Sequence, residues 1–213
     1  QLCNYNPERE INFVAACDDL QNAACQIDAL LVAGDIVENG FQSEYDSLTD
    51  DLEKVTKVDN FVMCAGNHDI RIRDYEQSTQ RYFDFTNNLN PKDKAIDNIW
   101  FEYEVDGYSF LVIGSDEMRF EDAYLSDAQL EWLEERVAAI SASGKPVFVM
   151  GHYPLRDTHG LPLTWGASLW EAGTIGDQSD IVYELLNKYD NVFYITGHLH
   201  TGIGQYTYEE IGN

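Results

Sequence analysis

Phe61-Val62-Met63-Cys64-Ala65-Gly66-Asn67-His68-Asp69 is the stretch on which the fold turns. Phe61 to Cys64 has the length and composition of a short buried strand, and it stops abruptly at a cluster of polar side chains. The same arrangement occurs three more times. Ala29 to Ala33 runs into Gly34-Asp35, Val147 to Met150 into Gly151-His152, and Val192 to Thr196 into Gly197-His198-Leu199-His200. Helical patterns separate these runs. Phe13, Cys17, Leu20, Ala24 and Ile27 recur at three and four residues, as do Tyr45, Leu48, Leu52 and Val55. Ser126, with Gln129 three residues later, predicts a capping box opening a helix that carries Leu130, Leu133, Val137 and Ile140 and stops at Gly144. Ile181, Val182, Leu185 and Leu186 mark another helix, and residues 74–88 read as helical or irregular. Asp106-Gly107 between Trp100–Val105 and Ser109–Ile113 predicts a hairpin. Strands alternating with helices imply βαβ units and a largely parallel sheet, so all four strand ends deliver their polar residues to one edge.

Composition narrows the function. The chain has 213 residues, enough to bury a substantial core, and carries a net charge of −25. Such a surface repels nucleic acid and anionic membranes, which are bound through Lys and Arg. No run approaches the apolar length of a membrane span. The reading is of a soluble protein, cytoplasmic or secreted, with a small-molecule partner. Cys17 and Cys64 fall on apolar stripes and read as core residues; Cys3 and Cys25 complete the set of cysteines, which has no zinc-knuckle spacing.

Four of the five histidines, His68, His152, His198 and His200, directly follow predicted strands. Imidazole, carboxylate and amide donors without thiolate suit Mn, Fe, Zn or a similar metal rather than a structural Cys-type zinc site. Taken singly, each residue has a plainer reading. Asp35 and Asn67 are turn residues, His152 a satisfied structural histidine, His198 and His200 polar strand-end residues. Jointly, in this order, those readings require four coincidences. Arg71 and Arg73 follow the His68 cluster and are candidates for a phosphate oxygen, against a plainer role as surface charge. His159 lies with Trp165 and Trp170 in a long loop after His152, a candidate for shaping specificity. Asp116 and Glu117 follow another strand end at Gly114-Ser115.

Gly34-Asp35-Ile36-Val37-Glu38-Asn39-Gly40, Gly66-Asn67-His68-Asp69, Gly151-His152 and Gly197-His198-Leu199-His200 resemble four of the five motifs of the calcineurin-like metallophosphoesterases, over about residues 10 to 202. The resemblance implies one α/β domain over 1–213, an αββα sandwich of two mixed β-sheets flanked by helices. It implies two divalent or trivalent transition-metal ions that hydrolyse a phosphomonoester or phosphodiester with metal-activated water. By position, Asp35 would bridge the metals, Asn67, His152 and His198 would complete one shell, and His200 would bind the other metal. His68 would act on the phosphate as the catalytic imidazole, oriented by Asp69. The family's first motif, a strand ending in Asp-x-His that supplies two ligands to the second metal, is absent upstream of Asp35. The domain is therefore expected to be incomplete at both ends. A degenerate, non-catalytic metal-binding or scaffold domain on the same fold is the alternative.

Overall fold

The computed structural model describes residues 7–71, 74–158 and 173–199. Helix α1 (Pro7–Gln21) leads to strand β1 (Leu30–Val32), helix α2 (Gln42–Leu52) and strand β2 (Phe61–Met63). A short helix α3 (Asn67–Ile70) and helix α4 (Tyr75–Leu89) follow, then the hairpin of β3 (Phe101–Val105) and β4 (Tyr108–Val112). Helix α5 (Asp127–Ala142), β5 (Val147–Met150), α6 (Ser179–Leu186) and β6 (Val192–Ile195) complete the described chain.

The strands form two sheets. β1 and β2 pair in parallel, Leu30 opposite Phe61. The second sheet has the order β3-β4-β5-β6, with β3 antiparallel to β4 and the remaining pairs parallel. Only the second sheet is mixed; the first, among the described residues, is parallel.

Period-two alternation sorts the side chains between these layers. On β2, Phe61 and Met63 pack with Phe13, Tyr45, Leu48, Tyr82 and Phe85 of the helices. The intervening Val62 and the following Cys64 turn the other way, onto Tyr103, Val112 and Met150 of the second sheet. On β4 and β5, Leu111, Val147 and Val149 face α5 and α6 through Leu133, Val137, Val182 and Leu185. Apolar clusters thus lie outside each sheet and between them. Cys17 and Cys64 are buried free thiols, as read from the sequence, and Cys25 is exposed. No helix among the described residues is long and apolar enough to cross a membrane.

Local chemistry explains where elements stop. α1 ends at Gln21, six residues before Ile27, which instead makes an isolated parallel bridge to Val58 and so extends the first sheet's pairing. The hairpin turns on two residues, Asp106 (φ 51°) and Gly107 (φ 79°), with Val105 opposite Tyr108. Paired positive φ values are what a two-residue hairpin requires. The capping box at α5 is only half made. Ser126 Oγ accepts from the Gln129 amide at 3.2 Å, but the Gln129 side chain turns away. Fully buried, it brackets Gly114 through Gly114 N (3.1 Å) and Gly114 O (2.9 Å) and reaches Asp116 at 2.7 Å. Asp116 Oδ2 accepts from Ser126 N in its place, at 2.8 Å. This network pins the loop that leaves β4.

Candidate metal centre

The loops after β1, β2, β5 and β6 meet at one edge, and three of them contribute to one buried cluster. One ligand atom each of Asp35, His152 and His198 lies within 4.8 Å of the others, and all three residues are buried. His152 Nε2 stands 3.3 Å from Asp35 Oδ1 and 3.0 Å from His198 Nδ1.

The tautomer of His152 follows from its other nitrogen. Nδ1 lies 2.7 Å from the carbonyl oxygen of Ala33, which only accepts, so Nδ1 carries a proton; Nε2 then offers a lone pair when a cation sits in the cluster, or an N–H to the Asp35 carboxylate when the ring is protonated. That lone pair faces a carboxylate and a second imidazole nitrogen. Converging acceptors repel unless a cation sits among them, and a histidine whose remote N–H is held by a carbonyl is the usual form of a metal-bound imidazole. His198 differs: its Nε2 is 3.8 Å from Glu121 Oε2, beyond hydrogen-bond reach.

Close approach of backbones makes this convergence feasible. A Cβ at Gly34 would strike the His152 ring, and Gly34 holds φ +81°. A Cβ at Gly66 would overlap Asp35. The ligands themselves sit in strained backbone: Asp35 at φ 52° and His198 at φ 67°. Leu199 N donates to Gly197 O at 2.8 Å across His198, closing the rarer, strained form of a three-residue turn.

Asn67 opens α3 directly after Gly66 and is 1% exposed. Its Nδ2 donates to the Phe120 carbonyl at 2.6 Å, which fixes the amide orientation. Its Oδ1 is buried with no hydrogen-bond partner among the described residues. A buried, unpaired amide oxygen costs about 1–3 kcal/mol, an expense removed when the oxygen coordinates a cation. The donors present therefore fit a metal of the Mn, Fe or Zn type.

Asp69 departs from its expected role. Its carboxylate does not orient His68. It accepts from the amides of Gly66 (2.8 Å), Val37 (3.0 Å) and Ile36 (3.3 Å), clamping the β1 loop to the β2 loop. His68 Nδ1 instead donates to the carbonyl oxygen of Glu38 at 2.8 Å, with the Glu38 carboxylate at 3.6 Å, and His68 N donates to Asp35 Oδ1 at 3.1 Å. Glu38, the residue after Val37 in the Gly34–Gly40 stretch, is the partner that sequence reasoning passed over. Burial pushes the Asp35 carboxyl upward. The hydrogen bond and charge of His152, with the charge and amide of His68, outweigh that and hold it well below the usual range. Asp69 is raised, by burial and by the Asp35 charge, against the bonds from Gly66 and Val37.

Among the weaker candidates, Arg71 lies beside the site, its guanidinium 3.9 Å from Glu38 and 5.1 Å from the Phe120 ring centroid. Arg73, His159 and His200 lie outside the described residues, as do Trp165 and Trp170. Asp116 is structural, as above, and Glu117 pairs with Arg119 at 3.2 Å on the surface. The loop they begin does reach the site, but through Phe120 and Glu121. The only sequence signal for it was the strand end at Gly114-Ser115.

A family model described as calcineurin-like phosphoesterase matches residues 10–202. A probable cyclic nucleotide phosphodiesterase of Rhodococcus erythropolis is 29% identical over 175 residues, 81% of this chain. The chain spans about half, 51%, of that relative's length. Among solved structures, a purple acid phosphatase from yellow lupin (Lupinus luteus) seeds is similar with a TM-score of 0.54 at 15% identity, over 86% of this chain and 32% of that one. A dimetal phosphatase from Danio rerio gives 0.53 at 14% identity, over 91% and 70%. At these identities the structural likeness speaks for the fold.

Proposed function

This chain belongs to the calcineurin-like phosphoesterase family, and from that premise we propose that it is a metal-dependent hydrolase of small phosphomonoesters or phosphodiesters. The observation that carries the reading is the buried convergence of Asp35, His152 and His198 from three separate strand ends. Asp35, Asn67, His152 and His198 would hold one metal ion. Asp35 would also bridge to a second ion bound by His200. When bound, the metals supply positive charge that stabilises the phosphoryl oxygens and makes water acidic enough to attack at neutral pH. They also offset the chain's net charge of −25, which otherwise repels an anionic substrate.

The residues around them complete the chemistry. His68, its ring oriented by the contact of Nδ1 with the Glu38 carbonyl, would meet the substrate through its imidazole. There it protonates the leaving alkoxide or stabilises charge on the phosphoryl group. Asp69 acts one step back, by fixing the loops that carry Asp35 and His68. Arg71 neutralises a phosphate oxygen. The cyclic nucleotide named for the Rhodococcus relative is one phosphodiester within this class.

The test is hydrolysis of p-nitrophenyl phosphate and bis(p-nitrophenyl) phosphate with Mn or Zn added. The expected result is metal-stimulated turnover that falls roughly 100-fold or more in His68→Ala. No metal-stimulated turnover, or turnover indifferent to His68→Ala, overturns the reading. The described residues assemble a single ligand group, which favours a second reading, a one-metal binding module without hydrolysis. Metal analysis separates the two: about two equivalents per chain speaks for the hydrolase, about one without turnover for the module.

A further inference from the structure

We infer that Phe120 is a specificity determinant of this site, presenting its ring to a planar aromatic group of the phosphate ester. The inference rests on the phosphoesterase reading and adds the class of substrate to it.

Phe120 has an anchored backbone and a largely exposed ring that the Arg71 guanidinium meets. Its carbonyl oxygen accepts from Asn67 Nδ2 at 2.6 Å, and the next residue, Glu121, lies 3.8 Å from His198 Nε2. Its backbone is thus tied to Asn67 of the first sheet, and its neighbour's carboxylate lies near His198 of the second. The loop is also braced internally, by Asp116 N to Tyr124 O at 2.8 Å and Tyr124 N to Ser115 Oγ at 3.0 Å. Yet Phe120 is 64% exposed, and Met118 two residues earlier is 47% exposed. A phenyl ring left largely in water forgoes the gain of burial. Scattered apolar residues on a surface need no explanation; this one is set at the rim of the buried cluster by a rigid loop.

Arg71 supplies the complement. Its guanidinium carbon lies 5.1 Å from the Phe120 ring centroid, and Glu38 holds the group from another side at 3.9 Å. Its Nε is buried with no hydrogen-bond partner among the described residues. A cation and an aromatic surface are therefore offered together beside the metal ligands. A ligand with an anionic phosphate and, a few bonds away, a planar ring engages both. A sugar phosphate or an alkyl phosphate engages the cation alone.

Binding by calorimetry tests this without relying on turnover. The Mn-loaded protein is titrated with adenosine 5′-phosphate and with ribose 5-phosphate, in which a hydroxyl replaces the base at C1. Stacking of a base on an aromatic side chain is worth about 1–3 kcal/mol, so the base-bearing ligand should bind roughly 5- to 150-fold more tightly. Phe120→Ala should bring that ratio close to one, and Phe120→Tyr should restore it. Equal affinities in the unaltered protein, binding of neither ligand, or a ratio that survives Phe120→Ala overturns the inference. Nitrophenyl phosphate turnover is read separately. Its loss with the base preference intact removes the hydrolase reading alone, whereas turnover without base preference removes only the role of Phe120.

Discussion

The two halves of the site present similar ligands and hold them in different ways. On the first sheet, Asp35 and Asn67 sit in loops tied together by hydrogen bonds: one carboxylate, Asp69, accepts from three backbone amides across both loops. On the second sheet, His152 and His198 are placed by side-chain contacts, His152 against Ala33 O and both rings against each other and Tyr153, in a backbone that at His198 is strained. The first half is built as a frame and the second as a lever against it. Each half carries one strained residue, Asp35 and His198, and that strain persists only because surrounding structure, the frame included, outweighs it.

Breaking the frame should produce the largest effect. Asp69→Ala leaves the amides of Ile36, Val37 and Gly66 buried without acceptors, at about 1–3 kcal/mol each. Losing a raised, uncomfortable carboxylate returns part of this, but three stranded donors win. We expect a loss of about 3 kcal/mol or more, seen as a fall of roughly 10 °C in Tm of the metal-free protein. A change under about 1 kcal/mol would mean that Asp69 does not hold the loops together.

A pH series sharpens the comparison at the point where the halves touch. The folded value of Asp35 lies below the ordinary 3.8, so its contribution to stability is present above that pH and lost as the pH falls. The folded value of Asp69 is raised, so its contribution is full below the ordinary value and lost as the pH rises through the folded one. Asp35→Asn removes the first contribution and relieves the second. Below about pH 3.8 the Asp69 contribution is already full and only that of Asp35 is still being lost. The fall in urea midpoint of the metal-free protein on acidification below that pH should therefore be smaller in the variant than in the unaltered chain. Equal falls would show that Asp35 is not held ionised by His152 and His68.

The smallest effect belongs far from the site. Arg136 meets Glu102 through two hydrogen bonds of 2.7 and 3.0 Å, joining α5 to β3 on the surface. Burial raises Glu102, but the bonds and charge of Arg136 hold it low. For a pair this exposed, Arg136→Ala should cost no more than about 1 kcal/mol by chemical denaturation. A larger loss would mean that the second sheet depends on this ion pair rather than on the apolar cluster around Leu133 and Val137.

Much of this was legible beforehand because it depends on spacing. Apolar runs ending in Gly and a ligand-type residue located β1, β2, β5 and β6, and the Asp-Gly turn located the β3–β4 hairpin to the residue. The end of α1 was misread because Ala24 and Ile27 continue the helical spacing while Ile27 finds a better partner in Val58 across the sheet. Gln129 was read as a cap because its position beside Ser126 fits one. Burial against Gly114 offered its amide a fuller set of bonds.

The sequence by itself determined which polar residues follow the strands and that they share one edge of the fold, because strand ends in parallel α/β topology point the same way. Only the tertiary structure decided how they act on one another. It assigned Asp69 to the backbone of Ile36 and Val37, Glu38 to His68, and Glu121 to His198, and it set the ring of Phe120 beside Arg71. These pairings join residues 30 or more positions apart, or lie in loops without apolar periodicity. No local pattern encodes them. They follow from which buried donors and acceptors remain unpaired once the sheets have packed.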